Sequence, residues 1–185
     1  MSDRELIVVD IETTGLDPET ASPLEIAAVR VSTGESLRFV PSGSLDAAQG
    51  ADPMALAVNR YFERRVFDDE LSRSGTRDAY RQLFDWLNAA TFAGANPRFD
   101  SRILERAMIE VTGLGERWHH RLADISAYTA GALSISPVSL PGLDQCCTAL
   151  GVVNEAPHSA LGDANATAEC FRRLVPSLTI DGGAA

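Results

Sequence analysis

Asp10 and Glu12 stand two residues apart at the end of the unbroken apolar run Leu6-Ile7-Val8-Val9. A short continuous apolar run suits a strand buried on both faces of a sheet. Side chains alternate along a strand, so both carboxylates leave it on the same side. Side by side at the end of a buried strand they repel each other and lose hydration. A hard divalent cation, Mg²⁺ or Mn²⁺, relieves both penalties through oxygen ligation. The bland alternative, a strand ending in polar residues, is open as long as Asp-x-Glu stands alone.

Two later stretches add acids. In Asn96-Pro97-Arg98-Phe99-Asp100, Pro97 suits the first turn of a helix, and the helix dipole favours a carboxylate at Asp100. In His158-Ser-Ala-Leu-Gly-Asp163-Ala164, Asp163 lies at the edge of a helical apolar stripe. His158 falls before or at the start of that helix, free to sit over the same site.

The elements that must position these groups are readable in outline. After the first strand, Leu24–Val31 and Leu37–Pro41 read as strands joined by the turn Ser32-Thr33-Gly34-Glu35, an antiparallel meander. Short helical stretches are expected over Asp46–Ala51 and Pro53–Phe62. An amphipathic helix follows, with Thr76 as its N-cap and Tyr80, Leu83, Phe84 and Leu87 at helical spacing. Thr91–Ala95 reads as a fourth strand. The next helix carries the stripe Phe99, Ile103, Ala107 and Val111, with Arg98, Arg102 and Arg106 four apart on another face. A solvent-exposed row is the preferred reading of these arginines, a phosphate-facing rail the alternative. Leu143 to Leu150 is a helix stopped by Gly151, and the last helix buries Ala160, Leu161, Ala164, Ala168, Phe171 and Val175. Glu25 is a candidate further acid near the site, with an outward or hydrogen-bonded strand residue the preferred reading, and Glu63-Arg64-Arg65 with Asp68-Asp69-Glu70 reads as a solvated face. The adjacent pair His119-His120 points in diverging directions and makes a poor joint metal site.

Composition narrows the chemistry. At 185 residues and 45% hydrophobic content, one domain over 1–178 with a tail at 179–185 is expected. All sixteen cations are arginines, which excludes lysine Schiff-base chemistry and P-loop nucleotide hydrolysis. A phosphatase with an aspartate nucleophile fits poorly too, since it uses Asp-x-Asp and a distant lysine. Cys146, Cys147 and Cys170 offer neither a disulfide framework nor a zinc pattern and suit buried thiols. The charged start and the lack of a membrane-length apolar run make the cytoplasm the expected location, with no membrane partner. A net charge of −10 disfavours a broad grip on nucleic acid, so weak, local, non-processive binding is expected.

Together, Val9-Asp10-Ile11-Glu12-Thr13-Thr14-Gly15-Leu16, Asn96-x-x-Phe99-Asp100 and His158-x-Ala160-x-x-Asp163-Ala164 resemble the three motifs of the 3′–5′ exonucleases of the four-acid-plus-histidine (DEDDh) type. That family includes bacterial polymerase III epsilon-like proofreading subunits, ribonuclease T and oligoribonuclease. The resemblance runs in chain order, and a sister group has tyrosine where His158 stands. Ala95 is a departure, since the family often has histidine before the asparagine.

The resemblance implies a ribonuclease H-like α/β fold with a mixed five-stranded sheet flanked by helices. It implies hydrolysis of phosphodiester bonds at the 3′ end of DNA or RNA, releasing nucleoside 5′-monophosphates, with two Mg²⁺ or Mn²⁺ ions. Asp10, Glu12 and Asp163 would hold one ion, Asp10 would bridge to the second, and Asp100 would support that one. His158 would accept the proton of the attacking water. Thr13, Thr14, Leu16, Asn96 and Phe99 would meet the terminal nucleotides. Single-stranded DNA or RNA 3′ ends are the implied partners; a DNA polymerase and a second copy of the chain are further candidates. The competing reading is a non-catalytic module of the same fold docked on a polymerase. The ending at Ala185 favours a stand-alone enzyme over a proofreading subunit.

Overall fold

The computed structural model describes residues 4–175. The expected domain limit at 178 and the tail at 179–185 lie outside the described residues.

Strand β1 (Leu6–Thr13) is the middle of a five-stranded sheet. On one side it pairs antiparallel with β2 (Pro23–Arg30), which pairs antiparallel with β3 (Ser36–Phe39). On the other it runs parallel to β4 (Thr91–Gly94), which is parallel to β5 (Ala123–Asp124). This mixed sheet, in the order β3-β2-β1-β4-β5, is the ribonuclease H-like arrangement. The strand continues past Val9 through both acids, because Asp10 and Glu12 still pair with Ala27 and Glu25 across the ladder.

Alternation along β1 sorts its side chains onto two cores. Ile7, Val9 and Ile11 face α3 (Arg73–Leu87) and α4 (Pro97–Thr112), packing with Tyr80, Leu83, Phe92, Ile103 and Met108. Val8 faces the other side, against α6 (Leu143–Leu150) and α7 (Ala160–Leu174). Asp10 and Glu12 share the parity of Val8 and leave on the α7 side. Ala160, Ala164 and Ala168 of α7 are fully buried there, and their small side chains let the helix lie close to the strand. That close approach delivers Asp163 to the acids of β1.

A third cluster of Leu24, Val40, Tyr61 and Val66 anchors α1 (Ser44–Gln49), α2 (Pro53–Asn59) and a 3₁₀ turn at Val66–Asp69 beside the open end of β1. α3 begins at Arg73, earlier than expected, because Ser72 caps it by accepting the Gly75 N–H. Thr76 is instead buried and its hydroxyl accepts the Ser42 N–H. Two elements carried no clear signal. β5 is two residues long, and α5 (Ile125–Ala132) follows it directly, capped by Asp124. No described helix is long and apolar enough to cross a membrane.

Candidate metal centre

Carboxylate oxygens of Asp10, Glu12 and Asp163 lie within 4.8 Å of one another, from two strand positions and the first turn of α7. Asp100 arrives from the opposite core, in the first turn of α4, where its Oδ1 accepts the Ile11 N–H at 3.0 Å. That bond fixes a buried carboxylate against the backbone between the two strand acids, so four carboxylates converge from three distant segments.

Their ionisation records the crowding. Burial, then the charges of Asp100 and Glu12, hold the Asp10 carboxyl well above the usual carboxylate range. Burial and the Asp163 charge push Glu12 up to about 7, against the pull of Arg64. Asp100 is raised mainly by burial, although the Ile11 N–H opposes it. Burial also raises Asp163, while Asn154 and the His158 N–H, donating to its Oδ1 at 2.6 and 3.3 Å, work the other way. All-oxygen donors whose negative charge is uncompensated are what a hard divalent cation fits, and the donor set here meets that test.

His158 sits on a loop folded onto the start of α7. Ser159 caps the helix by accepting the Gly162 N–H, and its hydroxyl donates to the Ala156 carbonyl at 2.7 Å. The loop lies so close that a Cβ on Gly162 would collide with the Ala156 carbonyl and approach Ser159 Oγ to 2.7 Å. Gly162→Ala is therefore expected to force the loop and Asp163 apart. Overpacking of this kind costs on the order of 1–3 kcal/mol, read as a melting temperature lower by about 5 °C. Mn²⁺ binding should weaken at the same time when titrated by calorimetry.

The expected nucleotide-facing residues divide. Leu16 is 84% exposed and lines a cleft of about 270 Å³ with Glu12, Thr13, Met54 and Val58. Thr13 is buried and its hydroxyl donates to the Gly15 carbonyl. The Thr14 main-chain N–H donates to Ser22, and its carbonyl and hydroxyl accept N–H groups of Asp52 and Ser22. Asn96 is exposed in a left-handed conformation at the start of α4, and Phe99 packs half-buried against the core. Met54 and Val58 escaped the sequence reading; their four-residue spacing on an exposed helix face was the available signal. Asn154, which steadies Asp163, had none.

Glu25 is the hydrogen-bonded strand residue expected, 1% exposed, with Arg38 Nε and Arg64 Nη2 donating to it at 2.7 and 2.6 Å. Arg64 therefore departs from the solvated face expected of its segment, whereas Glu63 and Arg65 are exposed. In the arginine row of α4, Arg98 is exposed, Arg102 pairs with Glu19, and Arg106 donates to the carbonyls of Pro18 and Ala21. Two of the three thus pin the loop after β1. A larger cleft of about 600 Å³ lies between the Glu25–Arg38–Arg64 cluster and α7, lined by Leu161 and Asn165 among others, and holds none of the four clustered acids.

The sequence profile of the 3′-5′ exoribonuclease Rv2179c-like domain matches residues 5–175. A PolC-type DNA polymerase III of Thermotoga maritima is 26% identical over 178 residues, 94% of this chain; the chain spans 12% of that protein's length. Ribonuclease T of Photorhabdus laumondii is 29% identical over 190 residues, covering 91% of this chain and 82% of the relative. Among solved structures, E. coli exonuclease I in complex with a dT13 oligonucleotide superposes with a TM-score of 0.68 at 19% identity, over 95% of this chain and 41% of that one.

Proposed function

Since the chain belongs to the family of Rv2179c-like 3′-5′ exoribonuclease domains, we propose that it is a metal-dependent 3′–5′ exonuclease acting on short single strands, RNA foremost. The observation that carries this reading is the convergence of Asp10, Glu12 and Asp163 within 4.8 Å, with Asp100 locked behind them. The family description favours RNA, whereas the exonuclease I neighbour binds a DNA oligonucleotide.

Asp10, Glu12 and Asp163 would hold one Mg²⁺ or Mn²⁺, and Asp10 with Asp100 a second. When bound, such ions supply charge stabilisation for the attacking and leaving oxygens of an in-line displacement. His158 would take the proton of the attacking water, a step typically worth about 10²–10⁴-fold. Leu16, Met54 and Val58 offer apolar walls against which a terminal base can rest beside Glu12. A non-catalytic polymerase module would have no use for four carboxylates held at a cost in stability, which favours the enzyme. A polymerase partner and a homodimer stay within the proposal as assemblies to be measured by gel filtration. A cytoplasmic setting also belongs to this reading, supported by three buried free cysteines.

The deciding experiment is a degradation panel of labelled single- and double-stranded RNA and DNA, with free or blocked 3′ ends, in Mg²⁺, Mn²⁺ or chelator. Release of 5′-monophosphates from free single-stranded 3′ ends, abolished by chelator and by Asp163→Asn, is expected. Cleavage that ignores the 3′ block, or that persists in Asp163→Asn, would sink the proposal.

A further inference from the structure

We infer that Arg64 is a positioning residue for His158, aimed by the buried anchor Glu25; this rests on His158 being the base of the nuclease reading. His158 has φ +59°, a left-handed conformation that a non-glycine residue adopts at a cost of about 1–2 kcal/mol. Such a backbone persists only where its surroundings over-determine it. Two bonds do so here. The His158 N–H donates to Asp163 Oδ1, and the His158 carbonyl accepts Arg64 Nη1 at 2.9 Å across 94 residues of chain.

The guanidinium is itself immobilised. Its Nη1 also donates to the Asn59 carbonyl at 3.0 Å, and its Nη2 to Glu25 Oε2 at 2.6 Å. Glu25 stands opposite Glu12 in the β1–β2 register, and its second oxygen is taken by Arg38. Asn59 in turn donates its side-chain N–H to the Thr13 carbonyl at 3.2 Å. One planar fork thus ties the His158 loop to the end of α2 and to the strand beside the acids. The rigid geometry of arginine suits this, and a lysine point charge would not reproduce it. Arg38 provides the internal control, since it pairs with the same Glu25 without touching His158.

The test compares Arg64→Met, Arg64→Lys and Arg38→Met, with Arg64→Met also placed in a His158→Ala background. Arg64→Met should lower kcat about 10- to 100-fold, as expected of a displaced catalytic group, with KM changed less than about threefold. Arg64→Lys, which keeps a charge facing Glu25, should retain the fold and recover part of the rate. It replaces Arg64→Met in the cycle if the latter does not fold. Arg38→Met should lower the melting temperature yet keep kcat within about twofold. In the His158→Ala background, losing Arg64 should cost almost nothing more, the non-additivity of residues acting through one another. Amide hydrogen exchange at His158 should rise in both Arg64 variants and stay at the wild-type level in Arg38→Met. Equal kcat losses with and without His158, or from Arg38→Met, would make Arg64 merely structural, as would unchanged exchange at His158. An inactive wild type would overturn the nuclease reading instead, while the exchange data would still decide the brace.

Discussion

Asp10→Asn is expected to abolish nuclease activity and to make the metal-free protein more stable. Asn matches Asp in shape and removes the charge that burial and the surrounding acids oppose most strongly. Without it, Asp100 and Glu12 lose a repulsive neighbour, and the new amide can donate to one of them. Removing one carboxylate from such a cluster should raise the melting temperature by about 5 °C in chelator, following the few degrees per kcal/mol typical of a chain this size. Catalysis moves the other way. Charge stabilisation of several kcal/mol, at about 1.4 kcal/mol per tenfold in rate, puts the loss at roughly a thousandfold or more. Differential scanning calorimetry in chelator and a single-turnover assay in Mn²⁺ measure the two halves. An Asp10→Asn protein that melts lower without metal would show that the cluster is not under the repulsion described here.

The same opposition explains what was legible in the sequence. Asp10, Glu12 and Asp163 are readable because each breaks a local rule, an acid at the end of an apolar strand or at the margin of a buried helical stripe. Such violations persist at sites and seldom elsewhere. Asp100 is readable because it follows a rule instead, a carboxylate in the first turn of a helix opened by proline. The strands around them followed from apolar runs, and the last helix from its alanines. Arg64 was not legible, because Glu63-Arg64-Arg65 has the composition of any solvated segment, and only the fold turns the middle residue towards Glu25 and His158. Arg102 and Arg106 failed similarly: their spacing described one helix face, whereas their partners Glu19, Pro18 and Ala21 come from a loop more than 80 residues earlier. Thr76 reads as a cap because it stands just ahead of the apolar spacing that starts at Tyr80; the helix instead begins a turn earlier at the Ser72 cap, and the Thr76 hydroxyl accepts the Ser42 N–H supplied by another loop. Local chemistry was visible where it was costly, and hidden where long-range partners satisfied it.

The pH dependence of stability follows from the same carboxylates, and its sign is opposite to that of an ordinary salt-bridged acid. Glu12 is raised from its usual 4.5 to about 7, and Asp10 and Asp100 are raised as well. Between the two values the folded protein holds protons that the unfolded chain has released. Stability is thus fully present below about pH 4.5 as far as this group is concerned, and is lost as pH rises through 7. At about 1.4 kcal/mol per unit, Glu12 alone accounts for roughly 3 kcal/mol, so the melting temperature in chelator should fall by about 10 °C between pH 5 and pH 8. Millimolar Mn²⁺ should restore it at pH 8 and have little effect at pH 5, because bound cations compete with protons for the same oxygens. Isothermal titration of Mn²⁺ near pH 6.5, repeated in buffers of differing ionisation enthalpy, should then report protons released on binding. Melting that stays flat from pH 5 to pH 8 in chelator, together with binding that releases no protons, would mean that these carboxylates are already ionised and that something other than a divalent cation balances them.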